Sequence, residues 1–209
     1  MAEMLPLPPA SLSRSATKRV LPKGTPVSRI YFAEGEPATE WNQFRLYGPT
    51  RSRFDHHLLD QNSAAFVQAR GVMYVCAGAE QFPAALAEVF QQNRLIDRNL
   101  NRPTYAGFEL CDDFVLLDLT GTYATAIGAT MAIHTGLRST ARAWSRLFYE
   151  TYPDIQGLLY CSSTHSHQPL VALYERAKPV IPQNPIVHRT LSDKMLQHTL
   201  FATAQWIGY

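Results

Sequence analysis

The stretch GVMYVCAGAEQFPAALAEVFQQNR, residues 71–94, joins two different patterns. GVMYVCA (71–77) is an apolar run that follows a glycine, which is typical of a buried strand. PAALAEVFQQNR (83–94) begins with a proline, which suits the first turn of a helix, and continues with good helix formers. The segment therefore predicts a buried strand that leads into a helix, with Tyr74 on the strand and Glu88 on the helix.

Segments on both sides of this strand–helix pair carry similar patterns. Strands are predicted at VSRIYF (27–32), DFVLLDL (113–119) and IQGLLYCSS (155–163), and an amphipathic helix at STARAWSRLFYETY (139–152). The tail from residue 178 adds one or two edge strands and a short final helix. Strands and helices are mixed but do not alternate regularly. This favours an α+β fold, with mixed central β-sheets and flanking helices, over a doubly wound α/β fold.

The composition describes one medium-sized domain with few charges. Of 209 residues, 46% are hydrophobic and 17% charged, and the formal net charge is +2. This charge is too small to predict direct nucleic-acid binding. No apolar run approaches the roughly 18 residues of a membrane span, and the first residues lack the apolar core of a signal peptide. We therefore expect a cytoplasmic protein without a membrane contact.

The two ends of the chain differ from its middle. Residues 1–25 are rich in Pro, Ser and basic residues, so we expect a partly mobile N-terminal arm before a single domain over residues 26–209. Near the C-terminus, Phe201, Trp206 and Tyr209 suit a surface for a partner or for a homodimer. Simple packing of the final helix explains them equally well.

A long irregular segment is predicted between the first two strands. Residues 33–55 are interrupted by Gly and Pro, and loops of this length in compact domains are usually functional or disordered. Aromatic residues along the segment argue against disorder. Its last residues belong to the stretch RSRFDHH (51–57), which suits a solvated loop, a metal site or one wall of an anion pocket.

The histidines and cysteines do not form a known metal motif. His56 and His57 are adjacent, and His165 and His167 are two residues apart, so neither pair has helical zinc spacing. The three cysteines lack CxxC spacing and are typical of apolar residues in a reducing compartment. We expect no metal. Phosphate-binding glycine loops and a nucleophile elbow are absent from the sequence as well.

Candidate functional residues are ordinary when each is taken alone. Glu88 suits a solvated helix glutamate, Tyr74 a core tyrosine and Arg53 a surface arginine. Ser162 and Ser163, after an apolar run, suit a turn.

The order of these residues, however, resembles the RES domain family, which is named for its Arg, Glu and Ser. The matching stretches are SRF (52–54), MYVCAGAEQFPAALAE (73–88) and GLLYCSS (157–163), and the resemblance covers about residues 27–180. Cys161 stands where the family usually has proline, so the serine register stays open between Ser162 and Ser163.

The resemblance implies an ADP-ribosyltransferase-like fold and an enzyme that acts on NAD as its substrate. By motif, Arg53, Glu88 and Ser162 correspond to the family's catalytic residues. Arg29, Arg53, Tyr74 and Ser139 correspond to residues that bind the substrate.

The resemblance also implies a toxin of a toxin–antitoxin pair, with an Xre-like helix-turn-helix antitoxin as its partner. DNA binding would then belong to the partner. Cleavage of NAD by water or by phosphate is the first expectation. Two alternatives stay open: transfer of ADP-ribose to a protein, and a non-catalytic module that only binds NAD.

Overall fold

The structure is a computed structural model that describes residues 4–165 and 167–209. Five α-helices lie in these residues: α1 (Gln81–Val89), α2 (Tyr123–Ala126), α3 (Ala132–Thr135), α4 (Arg138–Thr151) and α5 (Gln197–Ile207). Two short 3-10 helices span Glu175–Val180 and Lys194–Leu196. The strands are β1 (Lys18–Leu21), β2 (Pro26–Phe32), β3 (Arg45–Gly48), β4 (Phe66–Ala77), β5 (Pro103–Glu109), β6 (Phe114–Asp118), β7 (Gly157–Cys161), β8 (Pro169–Tyr174) and β9 (Val187–Thr190).

The nine strands of the described residues form one mixed sheet. Their order is β1-β6-β7-β8-β4-β2-β5-β9, and β3 pairs with β4 beside this path. The pair β6–β7 is parallel, whereas the other pairs are antiparallel. With the flanking helices, this sheet confirms the α+β prediction.

The sheet divides between β2 and β4. These strands pair only at Val27 with Ala77 and at Ser28 with Cys76. Beyond Ser28, β2 continues alongside β5 over its full length, whereas the preceding part of β4 pairs with β8 and β3. The two strands therefore separate from Arg29 onward, and this separation opens a cleft in the sheet.

Side chains of the central strands alternate between two apolar cores. On β4, Val72 and Cys76 belong to the core beneath the helices, whereas Met73 and Val75 belong to the core on the other face. This period of two is what a strand with both faces covered requires. The helical side also receives Trp144, Phe148 and other residues of α4.

The N-terminal segment packs on the domain from residue 4 onward, while residues 1–3 of the predicted arm lie outside the described residues. β1 pairs with β6, and Leu5 is buried in the helical core. The indole nitrogen of Trp144 donates to the Pro6 carbonyl at 2.8 Å. Residues 4–25 therefore complete one edge of the sheet and cover α4.

The predicted strands and helices around residues 27–32, 71–77, 113–119, 139–152 and 155–163 are present, with small shifts of their ends. The helix predicted at residues 83–94 is shorter, because it ends at Val89 and turns follow. The prediction that residues 33–55 are wholly irregular was wrong, since β3 lies within them. Strands β5 and β8 had no counterpart in the sequence prediction. Both begin with proline, which is a weak strand signal.

No helix of the described residues combines the length and the apolar character needed to cross a membrane.

Candidate active site

The cleft between β2 and β4 has a volume of about 610 Å³. It is lined by Arg29 of β2, residues 50–53, Tyr74 of β4, Glu88 of α1 and Arg138 at the start of α4. Parts of the chain that are far apart in sequence thus meet at one opening. The volume is in the range of small-molecule sites.

Asp55 holds the loop that forms one wall of the cleft. Its buried carboxylate accepts hydrogen bonds from Arg45 Nη2 at 2.8 Å, from the Thr50 amide at 2.6 Å and from Thr50 Oγ1 at 2.9 Å. It also contacts Nδ1 of His57. Burial by itself would raise the pKa of Asp55, but the His57 hydrogen bond and the Arg45 charge outweigh it and hold the pKa well below its usual range. The carboxylate therefore stays charged and fixes the loop.

Arg53 belongs to the same loop and lines the cleft. Its Nη1 donates to the Gly136 carbonyl at 2.6 Å, which connects the loop to the segment before α4. Burial, and then the nearby Arg138 charge, lower the pKa of Arg53. Because the guanidinium remains charged near neutral pH, this crowding of positive charge favours an anionic ligand. The next residue, Phe54, is fully buried against Tyr160, with the ring centres 4.5 Å apart.

Arg29 and Tyr74 present polar atoms that the described residues leave without partners. Arg29 Nη1 lies 3.4 Å from the carbonyls of Trp41 and Gln43, but its buried Nε makes no hydrogen bond within residues 4–165 and 167–209. The same is true of the Tyr74 hydroxyl. Burial lowers the pKa of Arg29 to about 10 and raises the pKa of Tyr74. Buried polar groups usually have partners, so these two atoms are suited to a ligand.

Glu88 is held by two hydroxyls. Ser162 Oγ and Thr164 Oγ1 each donate to Oε1 of Glu88 at 2.6 Å. Within the described chain, no hydrogen bond reaches the other carboxylate oxygen, Oε2. Glu88 is half-buried and lines the cleft. Oε1 of Glu88 is therefore bound by the protein, and Oε2 can interact with a ligand.

The charge of the cleft is strongly positive at its walls. Arg29, Arg51, Arg53 and Arg138 line it, and Glu88 is the carboxylate among the lining residues. Guanidinium groups offer paired donors that fit phosphate oxygens. The site therefore suits a ligand that carries phosphate beside a group that is neutral or cationic.

The structure brings most of the sequence-predicted site residues together. Arg29, Arg53, Tyr74 and Glu88 line one cleft. Ser162 is only 1% exposed and lies behind the Glu88 carboxylate, whereas the exposed Ser163 is in the lining. The two serines thus occupy different positions, one on the carboxylate and one on the cleft wall.

Ser139 lies on the exposed first turn of α4 and is not in the lining, so its predicted contact with substrate stays a prediction. Sequence reasoning did not identify Thr164, Arg138 or Asp55 as parts of the site. Thr164 and Asp55 stand within two residues of Ser162 and Arg53, so that proximity was an available signal. Arg138 had none, because only the fold brings α4 beside residue 53.

Within the described residues, no group of three His, Cys, Asp or Glu side chains is arranged to hold a metal ion.

Comparison with known proteins identifies the family from the sequence and the fold from one solved structure. The sequence model of the RES domain matches residues 26–195. No curated protein matches the sequence. A chain in the crystal structure of the M. tuberculosis MbcT-MbcA toxin-antitoxin complex is similar, with a TM-score of 0.51 and 14% identity. The similarity covers 86% of this chain and 90% of that one, and at this identity it shows a shared fold.

Proposed function

The chain belongs to the RES domain family, and on that premise we propose that it is a toxin that degrades NAD by cleaving the nicotinamide–ribose bond. The observation that carries this proposal is the Glu88 carboxylate, held by two hydroxyls at the wall of an arginine-lined cleft. A fixed carboxylate beside phosphate-binding groups matches the charge pattern of NAD, which has a diphosphate and a cationic nicotinamide.

The arginines would bind the diphosphate. Arg29 and Arg53 line the cleft from segments that are distant in sequence, and each is anchored by a hydrogen bond to a backbone carbonyl. Tyr74, on the neighbouring strand, would stack on the nicotinamide ring or donate to a ribose oxygen. These contacts would place the glycosidic bond near α1.

Glu88 would act on the bond that breaks. When the C–N bond cleaves, its electron pair goes to the ring nitrogen, and positive charge builds up on the ribose carbon and ring oxygen. A nearby carboxylate stabilises that charge and can accept the proton of an incoming nucleophile. Nicotinamide leaves as a neutral molecule, so the step needs no general acid. This agrees with a site that has one carboxylate in its lining.

Ser162 would orient the Glu88 carboxylate by a hydrogen bond and would not contact the substrate. Its hydroxyl hydrogen points to Glu88, and it is almost fully buried. Ser163 lines the cleft and would contact the ligand directly. The proposal therefore gives Ser162 the family's serine role and treats Ser163 as a secondary contact.

The acceptor of the ADP-ribosyl group decides the reaction. Water gives hydrolysis, phosphate gives phosphorolysis and a protein side chain gives ADP-ribosylation. We propose water or phosphate, because the sequence has nothing that resembles a long segment for recognising a protein substrate.

A protein partner is part of the proposal, because a free NAD-degrading enzyme would harm its own cell. The similar fold in a toxin-antitoxin complex supports such a partner. We propose an Xre-like helix-turn-helix antitoxin that covers the cleft in the cytoplasm and carries the DNA-binding function. A homodimer through the exposed Phe201 and Trp206 of α5 also stays a prediction.

The test is NAD turnover by the purified protein, with and without phosphate. Glu88→Gln keeps the size of the side chain and an oxygen for Ser162 and Thr164, but removes the charge. We expect nicotinamide release by the wild type and a fall of about 100-fold or more in the variant. Glu109→Gln, at the exposed end of β5, is the matched control and should keep full activity.

Different outcomes separate the alternatives. A phosphate requirement identifies a phosphorylase. Transfer of labelled ADP-ribose to an added protein, with no nicotinamide released when that protein is omitted, identifies a protein ADP-ribosyltransferase. Binding of NAD without turnover in any condition contradicts the enzyme proposal and leaves a binding module.

A further inference from the structure

The loop that follows β7 is folded around the hydroxyl of Ser162. While this hydroxyl donates to Glu88, it accepts the backbone amides of Thr164 at 3.1 Å and His165 at 3.0 Å. The turn thus aims the two hydroxyls that hold the carboxylate. Anything that fixes the turn also fixes Glu88.

The ring of His165 makes a second connection, to the start of α1. Its Nε2 lies 2.7 Å from Oε2 of Glu80, and the two side chains are 9% and 33% exposed. Because a carboxylate can only accept, Nε2 carries the hydrogen. Glu80 is the N-cap residue of α1, but its side chain makes no capping hydrogen bond to its own helix. It bonds instead to the loop that holds Glu88.

These contacts connect α1 to the loop after β7 at two separate places. Glu80 and Glu88 are eight residues apart, which is about 12 Å along α1. The helix is therefore bonded to the loop at both positions, through His165 at one end and through Ser162 and Thr164 at the other. A single contact would allow the loop to pivot about Glu88, whereas two contacts set its orientation.

We propose that His165 is a positioning residue that orients the Glu88 carboxylate through the Glu80–His165 bond. The inference rests on the proposed function, since it assigns a part in the same reaction. Trp206 of α5 lies against the ring, with centres 5.7 Å apart and planes at 82°. The imidazole is thus held between Glu80 on one helix and Trp206 on another. Neither contact brings it into the cleft lining.

The expected consequence is a loss in the chemical step rather than in binding. A displacement of a reacting group by about 1 Å can cost about 100-fold in rate. Without the His165 bond the loop still folds on Ser162, so the loss should be smaller. We expect His165→Leu to lower kcat about tenfold and to leave KM within about twofold, because the arginines and Tyr74 are untouched.

Three further variants test the Glu80–His165 hydrogen bond. His165→Gln has an amide that can donate to Glu80 and should recover most of kcat. Glu80→Met removes the acceptor and should resemble His165→Leu, and the variant that combines His165→Leu with Glu80→Met should be no worse than either single one.

His167→Asn is the control and should keep the wild-type kcat. His167 is exposed, and its positive φ of 53° suits asparagine.

A readout that does not depend on NAD turnover is amide hydrogen exchange of residues 161–165. If Glu80 and His165 fix the turn, the His165→Leu variant exchanges faster there, and His165→Gln does not. Unchanged kcat together with unchanged exchange in His165→Leu overturns the inference. If the wild type does not consume NAD, the proposed function fails first. The exchange experiment then still decides whether the bond orders the loop.

Discussion

The two halves of RSRFDHH, residues 51–57, have opposite environments. Arg51 and Arg53 line the cleft, where Arg51 is exposed and Arg53 is half-buried. Asp55, His56 and His57 are completely buried. Phe54 is buried between them, against Tyr160, and separates the two environments.

The difference shows how a protein uses polar groups in two ways. A buried charge is tolerated when it is paired and hydrogen-bonded, and Asp55 has Arg45, Thr50 and His57 as partners. In the cleft, several cationic groups face one carboxylate, so their charge is not balanced by the protein. The buried half should therefore control stability, and the cleft half should control ligand binding and turnover.

The largest effect is expected from Asp55→Asn. The amide has nearly the same shape, but it removes the charge and places an NH₂ group among donors. We expect a loss of about 3–5 kcal/mol in the free energy of unfolding, because Arg45 is left without its buried partner. Chemical denaturation measures this. Asp112→Asn, at an exposed position, should change stability little. Equal stability of both variants would show that the buried network does not hold the loop.

Arg53→Lys should lower enzyme activity and leave stability nearly unchanged, which is the opposite of the result expected for Asp55→Asn. Lysine keeps the charge but loses the planar pair of donors. One lost charge-assisted hydrogen bond is worth about 1.5–3 kcal/mol, so kcat/KM for NAD should fall about tenfold to hundredfold with little change in the unfolding midpoint. Steady-state kinetics beside Arg189→Lys, an exposed control, tests this. A large loss of stability with normal kcat/KM would contradict the view that residues 51–53 act in ligand binding while residues 55–57 act in stability.

Glu175 lies beside His56 of the buried half of RSRFDHH, with 3.7 Å between His56 Nε2 and Glu175 Oε2. It should make stability depend on pH. Burial would raise the pKa of Glu175, but the His56 ring, the Tyr149 hydroxyl and the Gly71 amide outweigh it and lower the pKa from 4.5 to about 2. Its contribution to stability is therefore complete above the unfolded value and is lost as the pH falls from 4.5 towards 2. Denaturation from about pH 6 down to about pH 3 should show a steeper decline for the wild type than for Glu175→Gln. Parallel curves would contradict this.

The smallest effect is expected from Ser139→Ala. Ser139 is exposed and lies outside the cleft lining, so stability should stay within about 0.5 kcal/mol and KM for NAD should not change. Arg138→Ala, one residue before it, is the informative partner because Arg138 lines the cleft and donates to Gln91 at 2.7 Å. It should raise KM. If Ser139→Ala raised KM instead, the motif-based role of Ser139 in binding the substrate would be supported.

Several features could be predicted because they depend on local patterns. The run at residues 71–77 reads as a strand from its apolar character alone, and Pro83 with the following alanines marks α1. Other features could not. Strand β5 begins at Pro103 and contains a glycine, so its pairing with β2 and β9 outweighs a weak local preference.

Local patterns were enough to predict the α+β class, the strand–helix unit that carries Tyr74 and Glu88, and the family of the chain. The fold was needed to show that Ser162 supports the carboxylate while Ser163 faces the cleft, and that Arg138 lines the cleft whereas Ser139 does not. This is because a motif records only which residues are neighbours along the chain. Which side chain faces a cavity depends on strand separation and helix orientation, which contacts distant in sequence impose.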